Sequence, residues 1–116
     1  MNNYQRNIFN IMKSNLEEYC DSDNQCLCER VQYLNDCIEK LDIIGKYDLL
    51  ETDVDVRKAS ENSVAVYFRL RRNTKLVIIV DEIKYTILYK NSIADDWTTK
   101  YVDNMTELEY TIQEFL

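Results

Sequence analysis

The middle of the chain alternates apolar and polar positions with the two-residue period of a half-buried strand. Val64, Val66, Phe68 and Leu70 follow this period, and it returns in residues 83–90. The gaps between the apolar runs are only two or three residues, whereas a parallel crossover needs about a dozen or more. The pattern therefore predicts an antiparallel three-stranded meander with strands over residues of about 63–71, 75–81 and 83–90.

The middle strand of this meander is apolar on both faces. Leu76 to Val80 contains no polar residue, although an antiparallel sheet with one wet face should alternate. Either helices cover both faces, or Val77 and Ile79 help form an exposed patch for a partner. We expect the covered arrangement, because enough helices are available to pack on a small sheet.

Two amphipathic helices are predicted before the meander, over residues of about 3–20 and 23–42. Apolar residues recur in each at steps of three and four, which places them on one stripe. The stripes are Tyr4, Ile8, Ile11, Met12, Leu16 and Tyr19, then Leu27, Val31, Leu34, Ile38 and Leu41. A short polar loop joins them as an αα-hairpin. The second stripe spans fewer than three heptads, so packing within the domain is favoured over an intermolecular coiled coil.

The remaining segments complete an α+β domain with a mainly antiparallel sheet of three to four strands. Gly45 is expected to end the second helix in the left-handed conformation. Residues 53–56 alternate and predict a short edge strand or an extended connector, and residues 92–104 predict a loop or helical turn. A closing helix over about 104–115 buries Met105, Leu108, Ile112 and Phe115.

Composition removes several classes of function. The chain of 116 residues has one glycine, no proline and no histidine, so Gly-rich phosphate loops and His-based catalysis or metal binding are excluded. We expect one domain, no cofactor and no membrane span, because no apolar run approaches 18 residues. The first residues lack the features of a secretory signal, so we expect the protein to act in the cytoplasm.

The four cysteines lie in the first third of the chain. Their spacing, C-x5-C-x-C-x8-C, lacks the C-x2-C pairs typical of zinc sites. A disulfide from Cys20 to Cys26 or Cys28 is an alternative that a reducing compartment disfavours. We expect all four, including Cys37, to act as small apolar residues along a helix, with no metal bound.

Charge is unevenly distributed along the chain. Residues 63–92 hold six cations and two carboxylates, a net +4, whereas residues 93–116 hold one cation and six carboxylates, a net −5. The whole chain carries −7. The predicted sheet is therefore basic within an acidic protein.

The basic residues of the meander offer one candidate binding surface. The candidate residues are Tyr67, Arg69, Arg71, Arg72 and Lys75. Aromatic and cationic side chains together are typical of nucleic-acid contacts. The acidity of the whole chain disfavours direct nucleic-acid binding. The alternative is that these cations pair with carboxylates of the helices or protect an edge strand.

The acidic tail offers the other candidate surface. Its residues are Asp95, Asp96, Trp97, Tyr101, Asp103 and Glu107, and Glu51, Asp53 and Asp55 form a second acidic cluster. Fixed carboxylates can occupy a basic groove that normally holds a nucleic-acid backbone. Trp97 and Tyr101 would be aromatic anchors of the contact. Alternatively, the acids are merely solvated and Trp97 fills the core.

No catalytic arrangement is predicted. Asp53 and Asp55 share one face of a possible strand and could hold Mg²⁺, but no lysine or histidine motif accompanies them. No nucleophile and base can be paired, so we expect a protein that is not an enzyme.

The tail resembles the acidic helix ends of Cas9-blocking anti-CRISPR proteins of phages. The resemblance lies in the pattern W-x3-Y-x-D at Trp97, Tyr101 and Asp103, followed by an acid-rich helix after an antiparallel sheet. It implies a non-enzymatic inhibitor that binds a CRISPR effector in the host bacterial cytoplasm. A bacterial immunity protein or antitoxin that neutralises a basic toxin remains an alternative, as does a small nucleic-acid-binding regulator. A homodimer formed through a sheet edge or the Val77/Ile79 face is also open.

Overall fold

The computed structural model describes residues 1–20, 23–92 and 96–116. Helices α1 (Asn3–Glu18), α2 (Gln25–Leu41) and α3 (Ile43–Lys46) come first, and a 3-10 turn (Glu51–Asp53) follows them. The five strands are β1 (Val54–Ser60), β2 (Ser63–Arg71), β3 (Thr74–Val80), β4 (Tyr85–Lys90) and β5 (Thr98–Val102), and α4 (Met105–Phe115) closes the chain.

The predicted α+β class, with an N-terminal helical pair, an antiparallel sheet and a C-terminal helix, is confirmed. The sheet has five strands in the order β1-β2-β3-β4-β5, and each neighbouring pair is antiparallel. The alternating residues 54–56 belong to an edge strand. The prediction of a loop or helical turn over 92–104 is wrong for residues 98–102, which form β5.

Local sequence signals explain where the long helices begin. Asn2 and Gln5 form a reciprocal capping box at the start of α1, in which the Gln5 N–H donates to Asn2 Oδ1 at 2.8 Å. At the start of α2, the Leu27 N–H donates to Asn24 Oδ1 at 3.2 Å. These polar side chains satisfy backbone donors that the helix itself leaves unpaired.

Asp42, and not Gly45, ends α2. Asp42 adopts φ 50° and ψ 45°, the left-handed conformation that we expected at the glycine. Gly45 lies inside α3 with a negative φ. A Cβ at Gly45 would collide with the Asp42 carboxylate, so a larger residue at this position would require that side chain to move. Asn and Asp tolerate the left-handed backbone conformation, which explains why Asp42 can end α2 where a glycine is more common.

Half of the apolar stripe predicted for α1 is exposed. Ile8, Met12 and Leu16 are buried as expected, but Tyr4 is 52%, Ile11 is 42% and Tyr19, just after the helix, is 39% exposed. Phe9, which the stripe omitted, is 3% exposed. Adjacent apolar residues made the orientation of the stripe ambiguous, and contact with the sheet decides it.

The helices cover one face of the sheet. The hydrophobic core joins α1, α2 and α4 to the strand residues Val64, Val66, Ile78 and Ile87, all of the same face. Val77 and Ala65 point the other way and do not belong to this cluster, although both are buried. The expectation that helices cover both faces is therefore wrong for the described residues. We call the side away from the helices the open face.

Polar and aromatic contacts fix the helices on the sheet. The Tyr85 hydroxyl of β4 donates to the Arg30 carbonyl of α2 at 2.7 Å. Tyr89 of β4 stacks on Phe115 of α4 with ring centroids 4.9 Å apart. None of the helices within the described ranges has both the length and the apolar character needed to cross a membrane.

Candidate functional surfaces

The open face has an apolar floor. Ala65 pairs with Ile79 and Val77 pairs with Leu88 across neighbouring strands, so the four side chains form a continuous patch. Val77 is only 4% exposed although no described helix packs on it. Longer side chains around the floor must therefore cover it.

Those surrounding side chains are aromatic and charged. They line a groove of about 380 Å³ along the floor. Its lining includes Arg57, Tyr67, Arg69, Lys75, Val77 and Trp97, together with the carboxylates Asp53 and Asp55. We call this the open-face groove. Trp97 is 42% and Tyr67 is 37% exposed, so both rings are accessible from solvent.

The cations around the open-face groove fall into two groups. Arg69 Nη2 lies 2.8 Å from Asp53 Oδ1, and Arg57 Nε lies 2.6 Å from Asp55 Oδ2. Arg72, Lys75 and Lys90 make no ion pair with any carboxylate in the described part of the chain. The unpaired group lines a second depression beside Trp97. Among the described residues, the three cations at the Trp97 end of the groove therefore have no carboxylate partner.

Cations also lie over the aromatic rings of this face. The Arg57 guanidinium is 5.3 Å from the centre of the Tyr67 ring, and Lys90 Nζ is 5.8 Å from the Trp97 ring. Lys84 Nζ is 4.7 Å from the ring of Tyr101, which stands on the same face in β5. Such cation–π contacts hold the rings in place without burying them.

The structure brings most of the predicted basic patch together. Tyr67, Arg69 and Lys75 line the open-face groove, and Arg72 stands at its rim. Arg71 does not join them, because a register shift between Arg69 and Arg71 redirects its side chain. Its guanidinium lies 5.6 Å from the Tyr47 ring, which packs against the core.

The predicted acidic and aromatic residues are divided between two places. Trp97 is not in the core, since it lies in the open-face groove beside cations and beside the paired carboxylates Asp53 and Asp55. Asp103 follows the far end of β5, so roughly 20 Å of extended chain separates it from Trp97. Asp96 is exposed next to Trp97, and Asp95 lies outside the described residues.

Asp103 instead lies beside α2, and Glu107 lies in the first turn of α4. The Arg30 guanidinium of α2 donates to the Asp103 carbonyl at 3.0 Å, and Lys40 of α2 pairs with Glu109 of α4 at 3.2 Å. These contacts dock α4 and the residues before it beside α2. We use the name acidic helical surface for the carboxylates of residues 25–41 and 103–116, which are Glu29, Asp36, Glu39, Asp103, Glu107, Glu109 and Glu114. Glu39, Glu109 and Glu114 among them pair with Arg6, Lys40 and Lys100.

The acidic helical surface contains an exposed aromatic residue that the sequence did not single out. Tyr110 is 67% exposed, and it stands three residues after Glu107 and four before Glu114. Positions at this spacing share one side of a helix. Glu114 is paired with Lys100 of β5. Tyr110 is therefore flanked by carboxylates, the environment that was predicted for Trp97.

The buried groups beneath this surface respond to its charge. Burial raises the pKa of the Cys37 thiol to about 11, and the carboxylates of Glu109 and Asp36 add to the shift. Burial also raises the pKa of Tyr33, to which Cys37 and Glu109 contribute. Asp36 of α2 and Glu109 of α4 therefore both act on the pKa values of Cys37 and the partly buried Tyr33.

The four cysteines, all within the described ranges, form no disulfide. Cys20 is half-buried, and its pKa is raised to about 12 by burial and by a hydrogen bond with Cys28. Cys26 is exposed. In the described ranges, no three side chains of Cys, Asp or Glu are arranged to hold a metal ion.

No protein family, curated protein or solved structure matched the chain in the comparisons made with them. The resemblance to anti-CRISPR proteins therefore stays a prediction.

Proposed function

We propose that the protein is a non-enzymatic inhibitor that binds a basic surface of another protein through the acidic helical surface. The separation of charge between helices and sheet carries this proposal. Residues 25–41 and 103–116 hold seven carboxylates and two cations, a net −5. The five strands hold seven cations and one carboxylate, a net +6.

Helices make the carboxylates a fixed array. The helices α2 and α4 are held by packing on each other and on the sheet, so their backbone loses little further freedom when a partner binds. A fixed negative surface attracts a basic groove over long range and raises the association rate. Such an array occupies sites that normally bind phosphates.

Tyr110 is the proposed anchor of the contact. Tyrosine is enriched among residues that contribute most to protein–protein affinity, because its ring buries a large area at low entropic cost. At 67% exposure, the ring has most of its area available to a partner. This replaces the earlier expectation that Trp97 anchors the acidic contact.

The resemblance in residues 97–112 indicates which basic partner to test first. We propose a nucleic-acid-handling effector of bacterial defence, a CRISPR effector above all, with action in the host cytoplasm. A basic toxin is the second candidate partner, and it would make the protein an immunity protein or antitoxin. Both candidates use the same surface and the same chemistry.

The experiment measures inhibition by the purified protein in DNA-cleavage assays of a panel of CRISPR effectors and in activity assays of basic toxins. The double variant Asp36→Asn/Glu107→Gln removes two exposed carboxylates of the acidic helical surface, neither in an ion pair among described residues. We expect its affinity for the inhibited partner to fall at least tenfold. Tyr110→Ala should have a similar effect.

The matched control is Glu17→Gln/Glu18→Gln, which removes the same charge from the exposed end of α1. We expect it to retain affinity within about twofold, since surface charges away from a contact have small effects. Equal losses in both variants would show that only net charge matters, and inhibition untouched by Asp36→Asn/Glu107→Gln would exclude this surface. Turnover of a substrate by the protein itself would contradict a non-enzymatic role.

A further inference from the structure

We infer that the open-face groove is a second binding site, and that it takes single-stranded nucleic acid. The site lies on the opposite side of the sheet from the acidic helical surface and shares no residue with it. The inference therefore stands or falls independently of the proposed inhibition.

The open-face groove contains two exposed aromatic rings on which bases could stack. Tyr67 and Trp97 both line it, and each ring is more than a third exposed. Exposed rings on a rigid sheet are stacking platforms for unpaired bases, and stacking tolerates any base because every base has a π-face. Val77 between them supplies an apolar floor.

The cations supply the second step. Arg72, Lys75 and Lys90 surround the exposed Trp97 ring and have no carboxylate partner in the described part of the chain. A strand whose base stacks on Trp97 would carry its phosphates within reach of these groups. The carboxylates that line the groove, Asp53 and Asp55, are each paired with an arginine and so repel a phosphate less.

The other possible occupants fit less well. A duplex keeps its base faces stacked inside and cannot use the two rings. A second copy of the open face would bring like charges together, because four strand cations there (Arg57, Arg69, Lys75 and Lys90) face one strand carboxylate, Asp55. An acidic peptide would pair with the cations, but it has no bases to stack on the rings of Tyr67 and Trp97.

The charge of the whole molecule limits the affinity. With −7 overall, the protein repels a polyanion at long range, so binding should be measurable only at low salt. Three cations without a carboxylate partner among the described residues predict that log K falls with log salt concentration at a slope of about −2, taking roughly 0.7 for each neutralised phosphate of a single strand.

Trp97 is the only tryptophan of the chain, so its fluorescence reports on the groove directly. Purified protein is titrated with a 20-nucleotide thymidine oligomer at several salt concentrations near and above 20 mM. We expect saturable quenching of the Trp97 fluorescence, with log K falling against log salt concentration at a slope of about −2. Lys75→Glu/Lys90→Glu should weaken binding at least tenfold, whereas Lys13→Glu/Lys46→Glu, with the same charge change away from the groove, should change it less than threefold.

Three results would overturn the inference: no quenching at 20 mM salt, equal loss in the two double variants, or equal affinity for a hairpin duplex. Quenching by a polyglutamate peptide at the same affinity would also overturn it, in favour of an acidic protein partner.

Trp97→Phe, followed by anisotropy of a labelled oligomer, should retain binding because the ring remains, and Trp97→Ala should lose it. Circular dichroism checks that each variant is folded, and variants of the acidic helical surface should leave this binding unchanged.

Discussion

At the scale of single residues, the thiols differ in reactivity because the fold buries them differently. Cys26 is exposed, whereas burial raises the pKa of Cys37 to about 11 and that of Cys20 to about 12. Thiolate is the reactive species in alkylation, and at pH 8 these pKa values leave only about one thiolate in 10³ or 10⁴.

We therefore expect iodoacetamide at pH 8 to modify Cys26 first, and Cys37 and Cys20 at least a hundredfold more slowly. Mass spectrometry of peptides over a time course measures this order. The control is the urea-unfolded protein, in which all cysteines should react at similar rates. Modification of Cys37 as fast as Cys26 in the folded protein would contradict the burial described above.

The raised pKa values also set the direction of the response to alkaline pH. Burial raises the pKa of Tyr85, as it does those of Cys37 and Cys20, so above pH 9 the unfolded chain loses protons before the folded chain does. The stability that the neutral groups contribute is complete below pH 9 and declines as the pH rises toward the folded-state values.

We expect the free energy of unfolding to fall steadily between pH 9 and 11, as measured by urea denaturation. Tyr85→Phe removes one titrating group and should make this fall shallower. At pH 7 the same variant should lose about 1 kcal/mol, because the Arg30 carbonyl loses its hydrogen bond from the Tyr85 hydroxyl. A stability that is constant from pH 7 to 11 would contradict this account.

At the scale of elements, α1 tests how the contact with the sheet orients a helix. Ile8 is 4% exposed and Ile11 is 42% exposed, although both belonged to the predicted apolar stripe. Deleting a buried isoleucine side chain to alanine costs about 2–5 kcal/mol, since it leaves a cavity. A surface position loses much less.

We expect Ile8→Ala to lower the free energy of unfolding by about 2–4 kcal/mol and Ile11→Ala by less than about 1 kcal/mol. Urea denaturation of the two variants gives a matched comparison within one helix. A larger loss in Ile11→Ala than in Ile8→Ala would indicate that α1 is rotated from the orientation described here.

At the scale of the whole molecule, the charges of the open face oppose self-association. The apolar floor invites pairing of two copies, but the surrounding cations would have to be brought together and desolvated. The edge strand β5 is only five residues long and carries Lys100. A short edge strand and a lysine on it both disfavour pairing with the sheet edge of another molecule.

We expect a monomer by light scattering at 0.15 M salt and protein concentrations up to about 100 µM. The variant Val77→Lys, which places a further cation on the floor, should leave the measured mass unchanged. A dimer that Val77→Lys dissociates would instead assign the open face to a second copy of the chain.

The sequence alone determined the elements whose stabilisation is local or strongly periodic. The stripe of α2 and the alternation of β2 follow from side-chain spacing, and they identify the α+β class. Segments that are stabilised mainly by contacts with neighbouring elements could not be predicted from their own sequence pattern. The polar run of β5 becomes a strand because β4 offers it backbone partners, and Asp42 ends α2 where glycine was expected.

Only the tertiary structure decided which charged and aromatic residues share a surface. Trp97 and Asp103 are six residues apart in sequence, yet an extended strand separates them, and packing of α4 beside α2 assembles an acidic surface from distant segments. One register shift directs Arg71 away from Arg69. Spacing along a chain specifies periodicity within one element, whereas a surface depends on the register and docking between elements, which are set by the packing of the whole core.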